Sequence, residues 1–166
     1  MIKPLILLVG KSGVGKNFFS NAFCLASIPS YTTREQRKSE IQGNEHTFVS
    51  LKSWEQLYKG KKNIVAWTLY NGNYYWTTKE QVEAAMYDVY IIDPDGVYNM
   101  MKFNEENKIN RDLSVVYLKA SIFKRIRNMY KRGDSISNII TRLINDSVPF
   151  DKFELDKKVE KLIVKV

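Results

Sequence analysis

The chain has few of the residues that mark several large classes of protein. Its 166 residues include one cysteine, Cys24, so no disulfide can form within the chain, and a reducing compartment is expected. We expect this cysteine to pack inside a helix. There is no internal repeat, low-complexity tract or flexible linker, and with 44% hydrophobic and 27% charged residues the composition indicates an ordinary globular protein rather than a disordered one.

Long apolar segments are also absent. The run Leu5 to Val9 near the N-terminus stops at Gly10 and leads into a glycine-rich loop, not into a small-residue cleavage site. We therefore interpret it as a buried strand and not as a signal peptide. The sequence predicts a cytoplasmic protein with no membrane contact.

Acidic residues are outnumbered by basic ones. Asp and Glu total 18 against 26 Lys and Arg, which gives a net charge of +8 and a pI near 9.4, and this excess indicates anionic partners. The arginines lie within patterned segments and form no basic tail. This distribution favours a site that binds phosphates over a surface that binds nucleic acid.

The length and the order of patterns indicate one α/β domain. A chain of this length has room for one sizeable core. Four short apolar segments, "LILLV", "VYIID", "SVVYLKA" and "LIVKV", are typical of buried parallel strands, and helical patterns separate them. Residues from about 32 to 77 form a smaller β-rich insertion, in which Asn71-Gly72 predicts a hairpin. We expect a sheet with helices on both faces.

The segment "GKSGVGKN" follows the first strand and opens a helix, which is the setting that a phosphate-binding loop requires. Its glycines let backbone N–H groups converge on phosphate oxygens, and Lys16 adds a charge. The alternative is a simple glycine turn. The predicted phosphate-binding residues are Gly10, Ser12, Gly13, Val14, Gly15, Lys16 and Asn17.

Asn17 stands where such loops usually carry a Ser or Thr that contacts magnesium. An amide oxygen can approach the ion or one of its waters, and Mg²⁺ relies largely on waters and substrate phosphates. We expect Asn17 to weaken metal binding without abolishing it.

Two further pairs of arginines are candidates for phosphate contacts. Arg34 and Arg37 are three residues apart and suit a forked grip on a second phosphate, although a solvated basic loop is the commoner fate of such pairs. Arg132 and Arg142 flank a Gly-Asp turn. They suit a mobile flap over residues 131–142, or else two amphipathic helices with exposed arginines.

Several motifs occur together in one order: "GKSGVGK", "SYTTREQR", "HTFVS", "GNYY" and "KRGDS". In this order and approximate spacing, the chain resembles the guanylate kinase family from Leu5 to about Arg142. The resemblance implies a P-loop NTPase-type parallel sheet flanked by helices within a single domain, residues 1–166. Its core would be residues 1–31 and 78–166, with a nucleoside-monophosphate-binding insertion at about 32–77 and a short lid at about 131–142.

The resemblance also implies roles for single residues. The glycine loop would hold the phosphates of ATP. The residues that would act in catalysis are Lys16, Arg37, Arg132 and Arg142. The residues that would line the acceptor-nucleotide pocket are Ser30, Arg34, Arg37, Glu40, His46, Tyr75 and Asp93. Within that pocket Ser30 would touch the base, and Asp93 would lie near the nucleoside or the magnesium shell.

Some positions depart from the family pattern. His46 replaces a Tyr that contacts the acceptor phosphate, and either of its ring nitrogens could donate there. Ala66 and Ile91 replace carboxylates that match the N–H edge of guanine, and a nearby Trp76 replaces Gly. These changes predict weakened guanine specificity and suit a differently shaped base. We also expect a shortened C-terminus, because the family continues beyond the last strand.

The leading hypothesis is an ATP-dependent kinase that uses Mg²⁺ and transfers the γ-phosphoryl to GMP, dGMP or another nucleoside monophosphate, as a monomer or homodimer. One alternative is a guanylate-kinase-like binding module, weakly active or inactive, that recognises a phosphorylated ligand or peptide. Another is a phosphate-loop ATPase or GTPase that hydrolyses its substrate with water.

Overall fold

The computed structural model describes residues 3–37, 40–44, 46–60, 62–70, 72–107 and 109–166. The strands are β1 (Leu5–Val9), β2 (Tyr31–Thr32), β3 (Thr47–Phe48), β4 (Ile64–Tyr70), β5 (Asn73–Thr78), β6 (Val89–Ile91), β7 (Leu113–Lys119) and β8 (Lys161–Lys165). The helices are α1 (Lys16–Ala22), α2 (Leu51–Ser53), α3 (Lys79–Glu83), α4 (Pro94–Asn107), α5 (Ile122–Lys131) and α6 (Ile136–Leu155). A π-helical turn, Trp54–Tyr58, continues α2.

The main sheet has four parallel strands in the order β6-β1-β7-β8. These strands lie in the four apolar segments of the sequence. The central strand β1 pairs with β6 through Leu7 and Tyr90, and with β7 through Leu7 and Val115. The predicted α/β fold with a parallel sheet flanked by helices is therefore confirmed.

Alternate residues of β1 pack on opposite faces of this sheet. Leu5, Leu7 and Val9 belong to the larger buried cluster, which also takes side chains from α3, α4 and α6. Leu8 belongs to a second cluster, in which Phe19 of α1 is partly buried. Because both faces are covered, the strand reads as a continuous apolar run and not as an alternating one.

The second sheet forms the β-rich insertion, with strand order β3-β2-β5-β4. Strands β4 and β5 are antiparallel and form the predicted hairpin, in which Gly72 has φ +73°. Asn71, the other residue of the predicted turn, lies outside the described residues. Strand β2 pairs with β5 in antiparallel fashion and with β3 in parallel fashion.

Trp76 lies in the interior of this insertion. Its side chain is fully buried and stacks on Tyr31, with ring centroids 5.4 Å apart. Trp54 and Tyr58 pack against the same indole at 4.5 and 5.0 Å. The expectation that Trp76 shapes the base pocket is therefore wrong: its ring belongs to an aromatic core.

Helix α1 ends earlier than its apolar spacing suggests. It stops at Ala22, and Cys24 follows with φ +53° and an exposed side chain, so the prediction that Cys24 packs in a helix is wrong. The bond from Leu25 N–H to Ser20 C=O closes the helix in the manner of a Schellman motif, which requires a left-handed residue at Cys24.

Helices α5 and α6 are joined by residues 132–135, where Gly133 has φ +87°. The predicted lid segment, residues 131–142, therefore consists of this short turn and the first turns of α6. In the described part of the chain, no helix is long and apolar enough to cross a membrane.

Candidate functional site

The glycine loop connects the end of β1 to the start of α1 and packs tightly against its neighbours. A Cβ on Gly10 would lie 2.7 Å from the carbonyl oxygen of Leu118. A Cβ on Gly13, where φ is +76°, would lie 2.4 Å from the carbonyl oxygen of Arg125. Gly15 is the N-cap of α1 with φ +102°. At Gly10 and Gly13 the backbone of the loop therefore passes too close to its neighbours for a side chain.

Lys16 is the first residue of α1, and its side chain turns back over the loop. Its Nζ donates to the carbonyl oxygen of Gly10 at 2.5 Å. Burial lowers the pKa of the Lys16 ammonium to about 8, with the positive charges of Arg132 and Arg125 acting in the same direction and Asp146 opposing them. A buried ammonium at the N-terminal end of a helix is suited to meet an anion.

Side chains of α5 and α6 hold the loop from behind. Asp146 accepts a hydrogen bond from the backbone N–H of Ser12 at 2.6 Å. Arg125 donates through Nε to Ser12 C=O and through Nη2 to Asp146, both at 2.9 Å. Asn128 donates to Gly13 C=O at 2.8 Å. The peptide groups on both sides of Ser12 are thereby fixed.

The sequence analysis missed this support. The one available signal was the spacing of Arg142 and Asp146, which puts both on the same face of a helix. Asp146 and Arg125 are almost fully buried, so their charges are paired with each other and with the loop.

A cavity of about 170 Å³ lies between the loop and the insertion. It brings together seven of the predicted site residues: Gly10, Ser12, Lys16, Ser30, His46, Tyr75 and Asp93. Its other walls include Ala66 and Ile91. Three predicted residues of the insertion, Arg34, Arg37 and Glu40, are not among the residues that line this cavity. Val14 is buried in the core beneath the loop, which leaves only its backbone for a ligand.

In the insertion, two arginines grip one carboxylate. Glu40 accepts from Arg34 Nη2 at 2.8 Å, from Arg37 Nη1 at 3.0 Å and from the Arg37 backbone N–H at 2.9 Å. Although burial opposes it, these hydrogen bonds lower the pKa of Glu40 to about 2. Glu40 therefore acts as an internal anion that orients both guanidinium groups.

His46 is bound to Ser30. Its Nδ1 is 3.0 Å from Ser30 Oγ and 3.3 Å from the Ser30 carbonyl oxygen. A carbonyl only accepts, so a hydrogen bond to it requires the tautomer with the proton on Nδ1, in which Nε2 is an acceptor. Burial lowers the pKa of His46 to about 4, and the charge of Arg34 acts in the same direction. Nδ1 is therefore engaged by Ser30, and donation from His46 to an acceptor phosphate stays a prediction.

Tyr75 and Asp93 also line the cavity. The Tyr75 ring lies 5.8 Å from that of His46. Asp93 follows β6 and caps α4, accepting from the Gly96 N–H at 2.7 Å. Burial raises the pKa of Asp93, against the effect of the Gly96 hydrogen bond and of a further one from Thr68.

The two arginines of the predicted lid face one acid. Arg132 donates to Asp134 Oδ2 through Nε at 2.9 Å and through Nη2 at 2.5 Å. The Nε of Arg142 is 3.8 Å from the same oxygen. The arginine set therefore has two parts, one around Glu40 and one around Asp134.

Candidate metal ligands are sparse. Among the described residues, no group of three or more His, Cys, Asp or Glu side chains could hold a metal ion. Asn17 is exposed and lines a second, polar groove that borders α1, together with Asn21 and Asn44. A metal here would depend on oxygens that a substrate supplies.

A family model matches most of the chain. The model described as "Guanylate kinase" covers residues 1–147. The chain belongs to the guanylate kinase family. Its similarity to individual curated members of that family is modest. It is 28% identical to a guanylate kinase of Agrobacterium fabrum over 142 residues, which is 82% of this chain and 62% of that protein. It is 30% identical to a guanylate kinase of Mycoplasma mobile over 140 residues, or 78% of this chain and 69% of that protein.

The fold is similar to that of a solved guanylate kinase from Anaplasma phagocytophilum. The two align with a TM-score of 0.62 and 16% sequence identity, over 99% of this chain and 77% of that one. At this identity the likeness establishes the fold alone. The part of the Agrobacterium fabrum and Rhizobium meliloti kinases that our chain matches is 62% of the length of each.

Proposed function

We propose that the chain is an ATP-dependent nucleoside monophosphate kinase, which transfers the γ-phosphoryl of ATP to the phosphate of GMP, dGMP or another nucleoside monophosphate. Family membership supports this reaction class. The arrangement of positive charges around the cavity supports it further.

The observation that carries the proposal is the cavity between the phosphate loop and the insertion. It is lined by Lys16 on the loop side and by His46 and Tyr75 on the insertion side. The positive charge of the lid residue Arg132 acts in the same direction as burial and lowers the pKa of both Lys16 and Arg37. A phosphoryl group that moves between two phosphates needs cations on both sides of its path.

The proposed roles follow from these positions. The N–H groups of the loop and Lys16 would hold the donor phosphates. Arg34 and Arg37, already oriented by Glu40, would hold the acceptor phosphate. Because the acceptor is itself an anionic oxygen, the transfer needs no strong base, and positioning with charge neutralisation provides most of the catalysis. Arg132 and Arg142 would release Asp134 and bind the phosphoryl group while it is transferred.

Magnesium fits this site as an ion held chiefly by substrate phosphates and water. When bound it would neutralise phosphate charge, and Asn17 would offer its amide oxygen to the ion or to a coordinated water. The carboxylate of Asp93, which follows β6, would offer the ion a second protein oxygen near the phosphate loop.

The cavity walls bear on the choice of base. Ala66 and Ile91 are apolar, and among the described lining residues the carboxylates are Asp93 and Asp146. Both already accept hydrogen bonds from the protein. Guanine would bury its N–H groups against this wall, where neither carboxylate is free to accept a hydrogen bond from them. Leaving these donors unpaired lowers the affinity for guanine. We therefore propose that the acceptor pocket tolerates bases other than guanine.

The test is a turnover assay with Mg-ATP and each common ribo- and deoxynucleoside monophosphate, in which ADP and the nucleoside diphosphate are measured separately. We expect turnover on at least one acceptor, and its loss in Lys16→Ala. Binding of a monophosphate or phosphopeptide without turnover would favour the binding-module alternative. Turnover of GMP alone would refute the proposed tolerance in the base pocket.

A further inference from the structure

The carboxylate of Asp146 joins three separate parts of the fold. It lies on α6, is 1% exposed, and accepts from the loop N–H of Ser12 and from Arg125 of α5. Its other oxygen, Oδ1, accepts from the hydroxyl of Tyr70 at 3.1 Å. The Ser12 hydroxyl donates to that oxygen at 3.3 Å and lies 3.4 Å from the Tyr70 hydroxyl.

Tyr70 belongs to the insertion, at the last position of β4 before the hairpin turn. Its ring also faces Arg142, whose guanidinium carbon is 6.0 Å from the ring centroid. Arg142 and Asp146 are one helical turn apart on α6. One face of α6 therefore holds the tip of the insertion with two groups, a cation on the ring and a carboxylate on the hydroxyl.

The same carboxylate sets the backbone of the phosphate loop. Asp146 fixes the N–H of Ser12, while Arg125 fixes the C=O of Ser12 and the carboxylate itself. A change at the Tyr70 hydroxyl thus reaches a loop peptide group through one shared acceptor. Both charges are buried, so water does not screen the interaction between them.

We propose that Asp146 is a positioning residue that couples acceptor binding in the insertion to donor binding in the phosphate loop, with the Tyr70 hydroxyl as the contact on the insertion side. This inference rests on the proposed function. A monophosphate that holds the insertion against the core strengthens the Tyr70 to Asp146 bond. A more firmly held Ser12 then raises the affinity of the loop for the donor nucleotide. By linkage, the donor nucleotide must raise the affinity for the monophosphate by the same factor.

The test measures ADP binding by calorimetry with and without a saturating monophosphate, using GMP and dTMP in turn as probes. ADP and a monophosphate form a complex that cannot transfer the γ-phosphoryl, so binding is measured apart from catalysis. In the wild type we expect the monophosphate to tighten ADP binding by roughly fivefold or more, at the low end of typical couplings.

Tyr70→Phe keeps the ring over Arg142 and removes only the hydroxyl. We expect the tightening of ADP binding by monophosphate to fall below about twofold, measured as a ratio to the ADP affinity of the same variant without monophosphate. Tyr130→Phe is the matched control, since Tyr130 is 69% exposed on α5. It should keep the full coupling.

A second variant removes the charge of the shared acceptor itself. Asp146→Asn keeps the shape of the side chain but weakens the Ser12 contact as well, so both ADP affinity and coupling should fall. The inference is overturned if Tyr70→Phe keeps the wild-type coupling, or if neither probe tightens ADP binding in the wild type. The proposed function has its own criterion, phosphoryl transfer, which can succeed without coupling or fail despite it.

Discussion

Substitution of Gly13 by Ala gives a quantitative test of how the phosphate loop is held. The new Cβ would meet the carbonyl oxygen of Arg125 at 2.4 Å and the Cγ of Met129 at 2.9 Å. Both are in α5, and the first is backbone, so the contact cannot be relieved by a rotamer change. The φ of +76° adds backbone strain for any residue with a Cβ.

The magnitudes can be separated with a matched variant. At Gly15, φ is +102° but the nearest atom to a new Cβ is 4.0 Å away, so Gly15→Ala has the backbone strain without the steric clash. Strain of this kind costs about 1–3 kcal/mol. The overpacking at Gly13 adds about 1–3 kcal/mol. We therefore expect Gly13→Ala to lower the free energy of unfolding by about 2–6 kcal/mol.

Urea unfolding of both variants measures this difference, and an unchanged m value shows that both unfold the same surface. Pyrophosphate affinity should also fall more in Gly13→Ala, because the loop must move away from α5. If Gly13→Ala is no more destabilising than Gly15→Ala, the loop does not pack on α5 as described.

Three further predictions concern the acceptor side and the core. Glu40→Gln removes the charge that orients two arginines, so the acceptor KM should rise roughly tenfold with the ATP KM unchanged, while the exposed Glu35→Gln has no effect; an equal rise for ATP would contradict this. His46 is the single histidine, and its imidazole should titrate by NMR near pKa 4. Because this pKa is depressed, the stability from the neutral ring is complete above about pH 6.5 and is lost as the pH falls towards 4, a loss that His46→Asn should reduce; an NMR pKa near 6.5 would refute the burial of the ring that lowers it. Arg111 is 5% exposed and donates to five backbone carbonyls, so Arg111→Ala should cost about 3 kcal/mol or more in unfolding experiments, far more than the exposed Arg127→Ala; similar costs would argue against this network.

The parts of the fold that could be predicted are those with a local signal. The four core strands are buried on both faces, so each appears as a short apolar run. The hairpin follows from Asn71-Gly72, and the phosphate loop from its glycines between a strand and a helix. In each case the information lies within about ten residues.

The boundaries of shorter elements could not be predicted in this way. Strand β2 has two residues and exists because it pairs with β3 and β5, so its own sequence carries no strand pattern. Helix α1 ends at Ala22 because Cys24 is left-handed, a conformation that is uncommon outside glycine and that spacing alone does not show.

The support of the candidate site was the least predictable part. Ser12 and Asp146 are 134 positions apart, and Ser12 and Arg125 are 113 apart. Only the tertiary fold brings these groups together. Likewise, Glu40 could be predicted as a pocket residue from the family resemblance, but its role as the anion between Arg34 and Arg37 depends on their geometry.

The central claim is that the γ-phosphoryl of ATP moves to a nucleoside monophosphate. The most direct measurement follows γ-labelled ATP with magnesium and a panel of monophosphates, and separates labelled nucleoside diphosphate from labelled inorganic phosphate. The account predicts that the label appears in a nucleoside diphosphate, requires the monophosphate, and is absent with Lys16→Ala. Label that appears only as inorganic phosphate, or remains on ATP with every acceptor, would contradict it.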